Sequence, residues 1–253
     1  MDAQPVTSGN FERRLRHILE SLESEDSRLT GKAGRIYEAL EKDLLTGRYK
    51  FGADISAPEL AKRLGVSRQP VMAALSQLRA AGYVTITPQV GCRVVTPTTE
   101  EISDFFRLFG AMEGVMARLA AERGEPGEGE VLRQLAQQIR EVPTVPGNIP
   151  LEYAELVGTY HDVIRAMARA PNLARRVGQF WRMSDFLLWN GAPNVHPAGL
   201  RTASEQRLAI AEAIGARDSD RAAALMEDHV WGKPERAGFR PPEQQGRAPD
   251  AEA

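Results

Sequence analysis

The stretch Leu60-Ala61-Lys62-Arg63-Leu64-Gly65-Val66-Ser67-Arg68-Gln69-Pro70-Val71 decides the fold of the first part of the chain. Leu60, Ala61 and Leu64 sit at helical spacing, and Gly65 stops that helix at a sharp turn. Ser67 stands where a following helix needs a cap, Pro70 falls near its start, and Val71, Leu75 and Leu78 lie on one face. Two short helices joined by a glycine turn form a helix-turn-helix, whose second helix presents its N-terminal end to the major groove of duplex DNA. Arg68 and Gln69 stand at that end. An arginine there can grip guanine O6 and N7 with two bonds, a glutamine can do the same for adenine N6 and N7, and the helix N-terminus favours a phosphate.

Upstream, Ile36, Leu40 and Leu44 predict a first helix ended by Gly47, Phe51-Gly52 reads as a turn, and Ser56 caps the Leu60 helix with Pro58 in its first turn. Downstream, Gly82 ends the Ser67 helix. Tyr83-Val84-Thr85-Ile86-Thr87 and Arg93-Val94-Val95-Thr96, joined through Pro88 to Gly91, read as a two-stranded hairpin. Three helices and a hairpin in that order predict a winged helix-turn-helix over residues 30–97. Its wing carries Gln89 and Arg93 toward backbone or minor groove, and Arg35 is a further candidate DNA contact. Polar residues at a helix start are often merely solvated. Local charge argues otherwise: residues 30–97 hold ten basic and five acidic side chains, +5, which leaves −7 for the rest of a chain whose net charge is −2. A basic module joined to an acidic one suggests that the first meets a polyanion.

Beyond Pro97 to Glu100 the β-rich composition ends. Helical patterns run over 100–122, 130–140, 150–168, 172–190, 200–215 and 219–232, separated by Gly- and Pro-rich stretches. The fold expected is mainly α, a winged helix-turn-helix followed by an all-α bundle over 98–233. Residues 1–29 read as an extension holding a short helix, from the apolar spacing of Phe11, Leu15, Ile18, Leu19 and Leu22. The Pro-, Gly-, Gln- and Glu-rich residues 234–253 read as a disordered tail. One cysteine, Cys92, excludes an internal disulfide framework, and no apolar run suits a membrane span or a secretory leader. These features lead to an expectation of a cytoplasmic protein.

In the helical part, polar side chains fall on faces that otherwise read as buried. Glu113 lies among Phe109, Met116, Ala117 and Ala120; His161 among Val157, Ile164 and Ala168; Arg207 among Ala203, Ile210, Ala211 and Ile214; His229 among Ala222, Leu225 and Met226. Each needs a partner once inside. A lone inward histidine is usually a satisfied core residue, but four polar groups on four helices favour a shared site. An inward guanidinium requires an anion. That anion is either Glu113, as an internal ion pair, or the carboxylate or other anionic group of a small effector held by Arg207 with His161, His229 and Glu113.

Residues 33–96 resemble the DNA-binding domain of the GntR family, through Gly47, Gly52, Leu60-Ala61, Leu64-Gly65-Val66-Ser67-Arg68, Pro70-Val71, Ala74-Leu75, Gly82-Tyr83-Val84 and Gly91-Cys92-Arg93-Val94. The family usually has an arginine one turn after the Ser-Arg pair; Met72 stands there, so base reading is expected to rest on Arg68 and Gln69. The remainder resembles the FadR-type (FCD) effector domain of the same family, through Glu113, Arg118-Leu119-Ala120-Ala121, Tyr160-His161, Asn172-Leu173, Ile210-Ala211-Glu212-Ala213-Ile214 and Met226-Glu227-Asp228-His229. The resemblance implies a homodimer on a double-stranded operator, controlled by a small-molecule effector. It also implies, in many members, a divalent metal held by an aspartate and three histidines. His161 and His229 match two of these; Val157 stands at the aspartate position and Arg207, or Gln206 with the register shifted by one, at the third histidine. Two imidazoles make an incomplete zinc or nickel site, so no cofactor is expected. A metal-dependent regulator of the same fold, an architectural DNA-binding dimer and, far behind, an enzyme using His161 and His229 are the alternatives. No nucleophile constellation, phosphate loop or His-Glu metal motif supports the last.

Overall fold

The computed structural model describes residues 8–20, 31–88, 90–144, 150–191 and 197–236. The chain divides into two compact units, and the division does not follow chain order. Of the described residues, one unit holds 31–88, 90–102 and 179–191; the other holds 8–20, 103–144, 150–178 and 197–236.

The first unit contains α2 (Gly31–Leu45), β1 (Asp54–Ile55), α3 (Ala57–Leu64), α4 (Arg68–Ala80), β2 (Val84–Thr87) and β3 (Gly91–Val94). The Ser56 hydroxyl accepts from the Glu59 amide and Pro58 sits in the first turn of α3, where its missing N–H costs nothing. Gly65 ends α3 at φ +62°, a left-handed conformation that disfavours a side chain, while the Val66 amide returns to the Ala61 carbonyl. That glycine lets α4 leave at a new angle. Val71, Ala74, Leu75 and Leu78 are buried on α4, and Ile36, Tyr37, Leu40 and Leu44 on α2, which packs against it. The hairpin is joined by a third strand: the order is β1-β3-β2, antiparallel throughout, with Ile55 opposite Cys92 and Val84 opposite Val94. The two residues of β1 are too few for an alternating pattern, so the sequence shows only the hairpin.

The second unit contains α1 (Ser8–Glu20), most of α5 (Thr99–Arg123), α6 (Glu128–Glu141), α7 (Leu151–Met167), the start of α8 (Pro171–Gly191), α9 (Pro197–Gly215), α10 (Ser219–Trp231) and α11 (Lys233–Arg236). The short helix expected before the winged domain is α1, and it packs against α6 and α7 through buried Phe11 and Ile18. The C-terminal stretch read as a disordered tail begins within α11; residues 237–253 lie outside the described residues. Helices α6 and α9 approach so closely that a Cβ on Gly129 would lie 2.8 Å from the Cα of Gly215. Leu132 and Leu135 of α6, Val163 of α7, Ile210 of α9 and Met226 of α10 are buried in the core of this unit.

The second half of α8 groups with the winged helix, which periodicity could not reveal. Phe186 is buried edge-on between Phe51 and Tyr83, with ring centroids 5.5 and 5.2 Å apart. Beside it, Glu41 accepts from the Tyr37 hydroxyl at 2.7 Å and the Tyr83 hydroxyl at 3.3 Å, and pairs with Arg182 at 3.3 Å. Burial, then the Glu41 carboxylate, pushes the Tyr83 phenol up, so it stays a neutral donor.

Candidate functional site

Two groups of polar residues stand out, one on the surface of the winged helix and one inside the helical unit. On the winged helix, Ser67, Arg68 and Gln69 are all exposed at the start of α4. Ser67 has the extended backbone of a cap residue (φ −70°, ψ 165°), yet its side chain makes no capping hydrogen bond. The cap expected from sequence is therefore positional only. The first amides of a helix have no intrahelical acceptor and carry a positive partial charge, which suits a phosphate oxygen. Met72, one turn on, is exposed at 43%. Arg35 is exposed on α2. Arg93 is exposed on β3 but committed within the fold: its Nε donates to Asp54 across the β1–β3 pair at 2.8 Å and its Nη2 at 3.3 Å. Gln89 lies outside the described residues.

The buried group is built on α5, α7, α9 and α10. Glu113 is fully buried, and His161, His229 and Arg207 are at most 6% exposed. Glu113 does not meet Arg207. Its Oε1 accepts from Arg165 Nη1 at 2.6 Å, and its Oε2 lies 3.5 Å from His161 Nδ1. Arg165 reaches Asp162 with its other nitrogen at 2.7 Å. Of the two partners left open for Arg207, the internal one is thus taken by another cation. Arg165 follows His161 by one turn, so its inward direction was available in the spacing. Burial alone would raise the Glu113 carboxyl, but Arg165, with help from His161, holds it below the ordinary carboxylate range. Burial pushes His161 down to about 4, against the opposing pull of Glu113, so it is neutral near pH 7.

Arg207 sits apart from that ion pair. Its Nη1 donates to the Tyr153 hydroxyl at 3.2 Å and its guanidinium lies 5.9 Å from the Tyr153 ring centroid. The Tyr160 hydroxyl donates to the Arg207 backbone carbonyl at 2.8 Å, which fixes the local position of α9. The Nε of Arg207 is buried without an acceptor, and among the described residues no carboxylate pairs with this side chain. His161 and His229 stack at 6.0 Å between centroids, and His229 Nδ1 lies 2.9 Å from Gln206 Oε1. Gln206, not Arg207, therefore faces His229.

This donor set does not fit a divalent ion. Val157 is apolar, Glu113 is held by a guanidinium, and among the described residues no group of three or more His, Cys, Asp and Glu is placed to hold a metal. No helix among them is long and apolar enough to cross a membrane.

Comparison with known proteins bears on both groups. The pattern described as “Bacterial regulatory proteins, gntR family” matches residues 32–94, and that of the FCD domain matches residues 104–231. A probable D-xylose utilization operon transcriptional repressor of Paenarthrobacter nicotinovorans is 26% identical over 201 residues, 79% of this chain and 86% of that protein. The transcriptional repressor GlaR of Escherichia coli (strain K12) is 25% identical over 207 residues, 77% of this chain and 90% of its own. The solved structure of E. coli McbR/YncC aligns with a TM-score of 0.59 at 20% identity, over 83% of this chain and 98% of that one.

Proposed function

Because this chain belongs to the GntR family of bacterial regulatory proteins and carries an FCD domain as its second part, we propose that it is a cytoplasmic repressor that binds its operator as a homodimer and leaves it on binding a small anion. Its relatives are transcriptional regulators, several named as repressors, and the chain is a DNA-binding transcriptional regulator of the same kind. The observation that carries the DNA-binding mechanism is the bare N-terminus of α4. Arg68 and Gln69 stand exposed there beside a serine whose hydroxyl caps nothing. In this reading Arg68 and Gln69 touch base edges, while Ser67, Arg35, Gln89 and Arg93 touch backbone or wing positions. Two copies place two such helices on a pseudo-palindromic site.

The effector reading rests on Arg207. A buried guanidinium that among the described residues meets a tyrosine hydroxyl and no carboxylate is suited to accept a carboxylate or other anion through its fork of donors, with His161, His229 and Glu113 setting the polarity around it. Such an anion changes DNA affinity only as far as it binds the DNA-competent and DNA-incompetent arrangements unequally.

The test is operator selection from random duplex, followed by titration of Arg68→Ala against the selected site. Loss of about 1–3 kcal/mol, roughly 5- to 150-fold in affinity, is expected. Unchanged affinity would reject the role of Arg68. Failure to select any duplex at moderate salt would reject the DNA-binding mechanism altogether.

A further inference from the structure

We infer that the cleft between the C-terminal ends of α5 and α9 and the start of α6 is a second small-molecule site, which takes a zwitterion of amino-acid size with an apolar side chain. The inference goes beyond the proposed function and does not use the anion site at Arg207: none of Glu113, His161, Arg207 and His229 lines this cleft.

The cleft has a volume of 410 Å³, within the usual range of ligand sites, roughly 300–1,000 Å³. Its floor is apolar: Ala120, Ala121, Met167, Ala211 and Ile214 line it and are at most 3% exposed. Its walls include Gly124, Gly127, Gly129 and Gly215, which put no side chain into the space.

The rim is charged, and the two sides differ in sign. At the α5–α6 connection, Arg217 donates to the Glu122 and Gly124 carbonyls at 3.2 and 2.7 Å. Arg14 of α1 lies against Gly127, where a Cβ would come within 2.8 Å of its Nη1. Arg169 pairs with Glu125 at 3.0 Å and Glu128 at 2.9 Å. Three guanidiniums there meet two carboxylates. Between α6 and α9 the balance reverses. Arg133 donates to Glu130 at 2.8 and 2.7 Å, and the Glu212 carboxylate stands within electrostatic reach of the same guanidinium. One guanidinium there meets two carboxylates. Within the lining, the pairs leave two charges over. Arg217 has neutral carbonyls as its acceptors, and Glu212 has no ion pair among the described residues.

Those two charges define the occupant. A simple anion is attracted by Arg217 but repelled by Glu212, and a simple amine meets the reverse. A divalent metal finds no group of three or more His, Cys, Asp and Glu among the described residues. A zwitterion suits both ends. Its carboxylate accepts from donors that Arg217 still has free, since a guanidinium carries five. Its ammonium donates to Glu212, and an apolar side chain covers the floor. The rim is open to water, so each charge contact alone is worth little; binding needs both contacts and the floor together.

The experiment is calorimetric titration of the full chain, without DNA, in the parent and in Arg207→Met, where a carboxylate loses the interior guanidinium. The probes are leucine, valine, methionine and phenylalanine, with glycine, 3-methylbutylamine and 4-methylpentanoate as controls; the last two are leucine without its carboxylate and without its ammonium. At least one of the four apolar amino acids is expected to bind saturably, with Kd at or below about 1 mM, equally in both proteins. In Arg207→Met it should bind at least tenfold more tightly than the three controls. Glu212→Gln should weaken it at least tenfold, and Glu212→Arg should abolish it and admit 4-methylpentanoate, with helical circular dichroism kept. No binding by any of the four, equal binding of the amine or the acid in Arg207→Met, or indifference to Glu212→Arg would overturn the proposal. Binding that disappears in Arg207→Met would overturn it too, while supporting the interior anion site, so the two failures are told apart. If Glu212→Arg does not fold, Glu212→Gln decides alone.

Discussion

The amino end of α4 and the interior of the helical unit both concentrate charge, and they handle it in opposite ways. On α4, Arg68 is exposed, and its place at the helix start leaves it available to a polymer. Inside the helical unit, Arg165 is 3% exposed and is matched at once by Glu113 and Asp162. A surface cation can wait for its partner because water screens it; a buried one cannot, since desolvation costs several kcal/mol unless a counter-charge sits beside it. Arg207 breaks this rule. It is buried like Arg165, yet among the described residues its side chain donates to the Tyr153 hydroxyl and to no carboxylate. On the proposed reading, this contrast within the helical unit is the one between a structural ion pair and a residue that awaits an anion.

The largest expected effect tests the satisfied half. Glu113→Ala leaves the buried Arg165 cation with only the half-exposed Asp162 carboxylate and should destabilise the helical unit by about 3 kcal/mol, measured by urea unfolding followed by helical circular dichroism. Replacing both, Glu113→Met with Arg165→Met, should recover most of that loss, because an apolar pair of similar volume avoids desolvation altogether. A cost below about 1 kcal/mol for the single change would mean that the pair is not what holds this part of the core.

Next in size is the unsatisfied half. Arg207→Met removes a cation that has no counter-charge among the described residues, so the same unfolding measurement should show little loss or a gain, in contrast to Glu113→Ala. Operator affinity should stay at the parent level, while the response to effector disappears. With the effector unidentified, thermal shift across a panel of small carboxylates and phosphates on the parent chain supplies the probe. A variant that still responds to that probe, or one that unfolds as readily as Glu113→Ala, would return Arg207 to a purely structural role.

How much of this was legible beforehand follows from the range of the interactions. The helix-turn-helix depends on neighbours in sequence: a cap at Ser56, a left-handed glycine at Gly65, apolar residues at helical spacing. Each leaves a local mark, and residues 60–71 carry all of them. The inward direction of Glu113, His161, Arg207 and His229 is equally local, being periodicity. Their pairing is not. Glu113 is 52 residues from Arg165, and nothing in spacing says which of two inward arginines meets it. The same limit hid β1, whose two residues gain meaning only opposite Arg93 and Cys92, and the grouping of Phe186 with Tyr83. Gln206 against His229 shows it at the finest scale, since a one-residue register on α9 decides which side chain faces the imidazole.

The smallest effect sharpens the surface side of the comparison. The sequence offers Arg93 beside Arg68 as a candidate DNA contact, but Arg93 is paired with Asp54, and both side chains of that pair are well exposed. Solvent screens such a pair, so Arg93→Ala should leave unfolding nearly unchanged. Its effect on operator binding should be smaller than that of Arg68→Ala and uniform across sequences, because a guanidinium shared with Asp54 offers a phosphate less than a free one does. Asp54→Asn, which releases Arg93, should strengthen binding to any duplex and steepen its salt dependence. If Arg93→Ala instead abolished preference for the selected operator as fully as Arg68→Ala, the wing would read bases, and the division between an open recognition helix and an internally tied wing would fail.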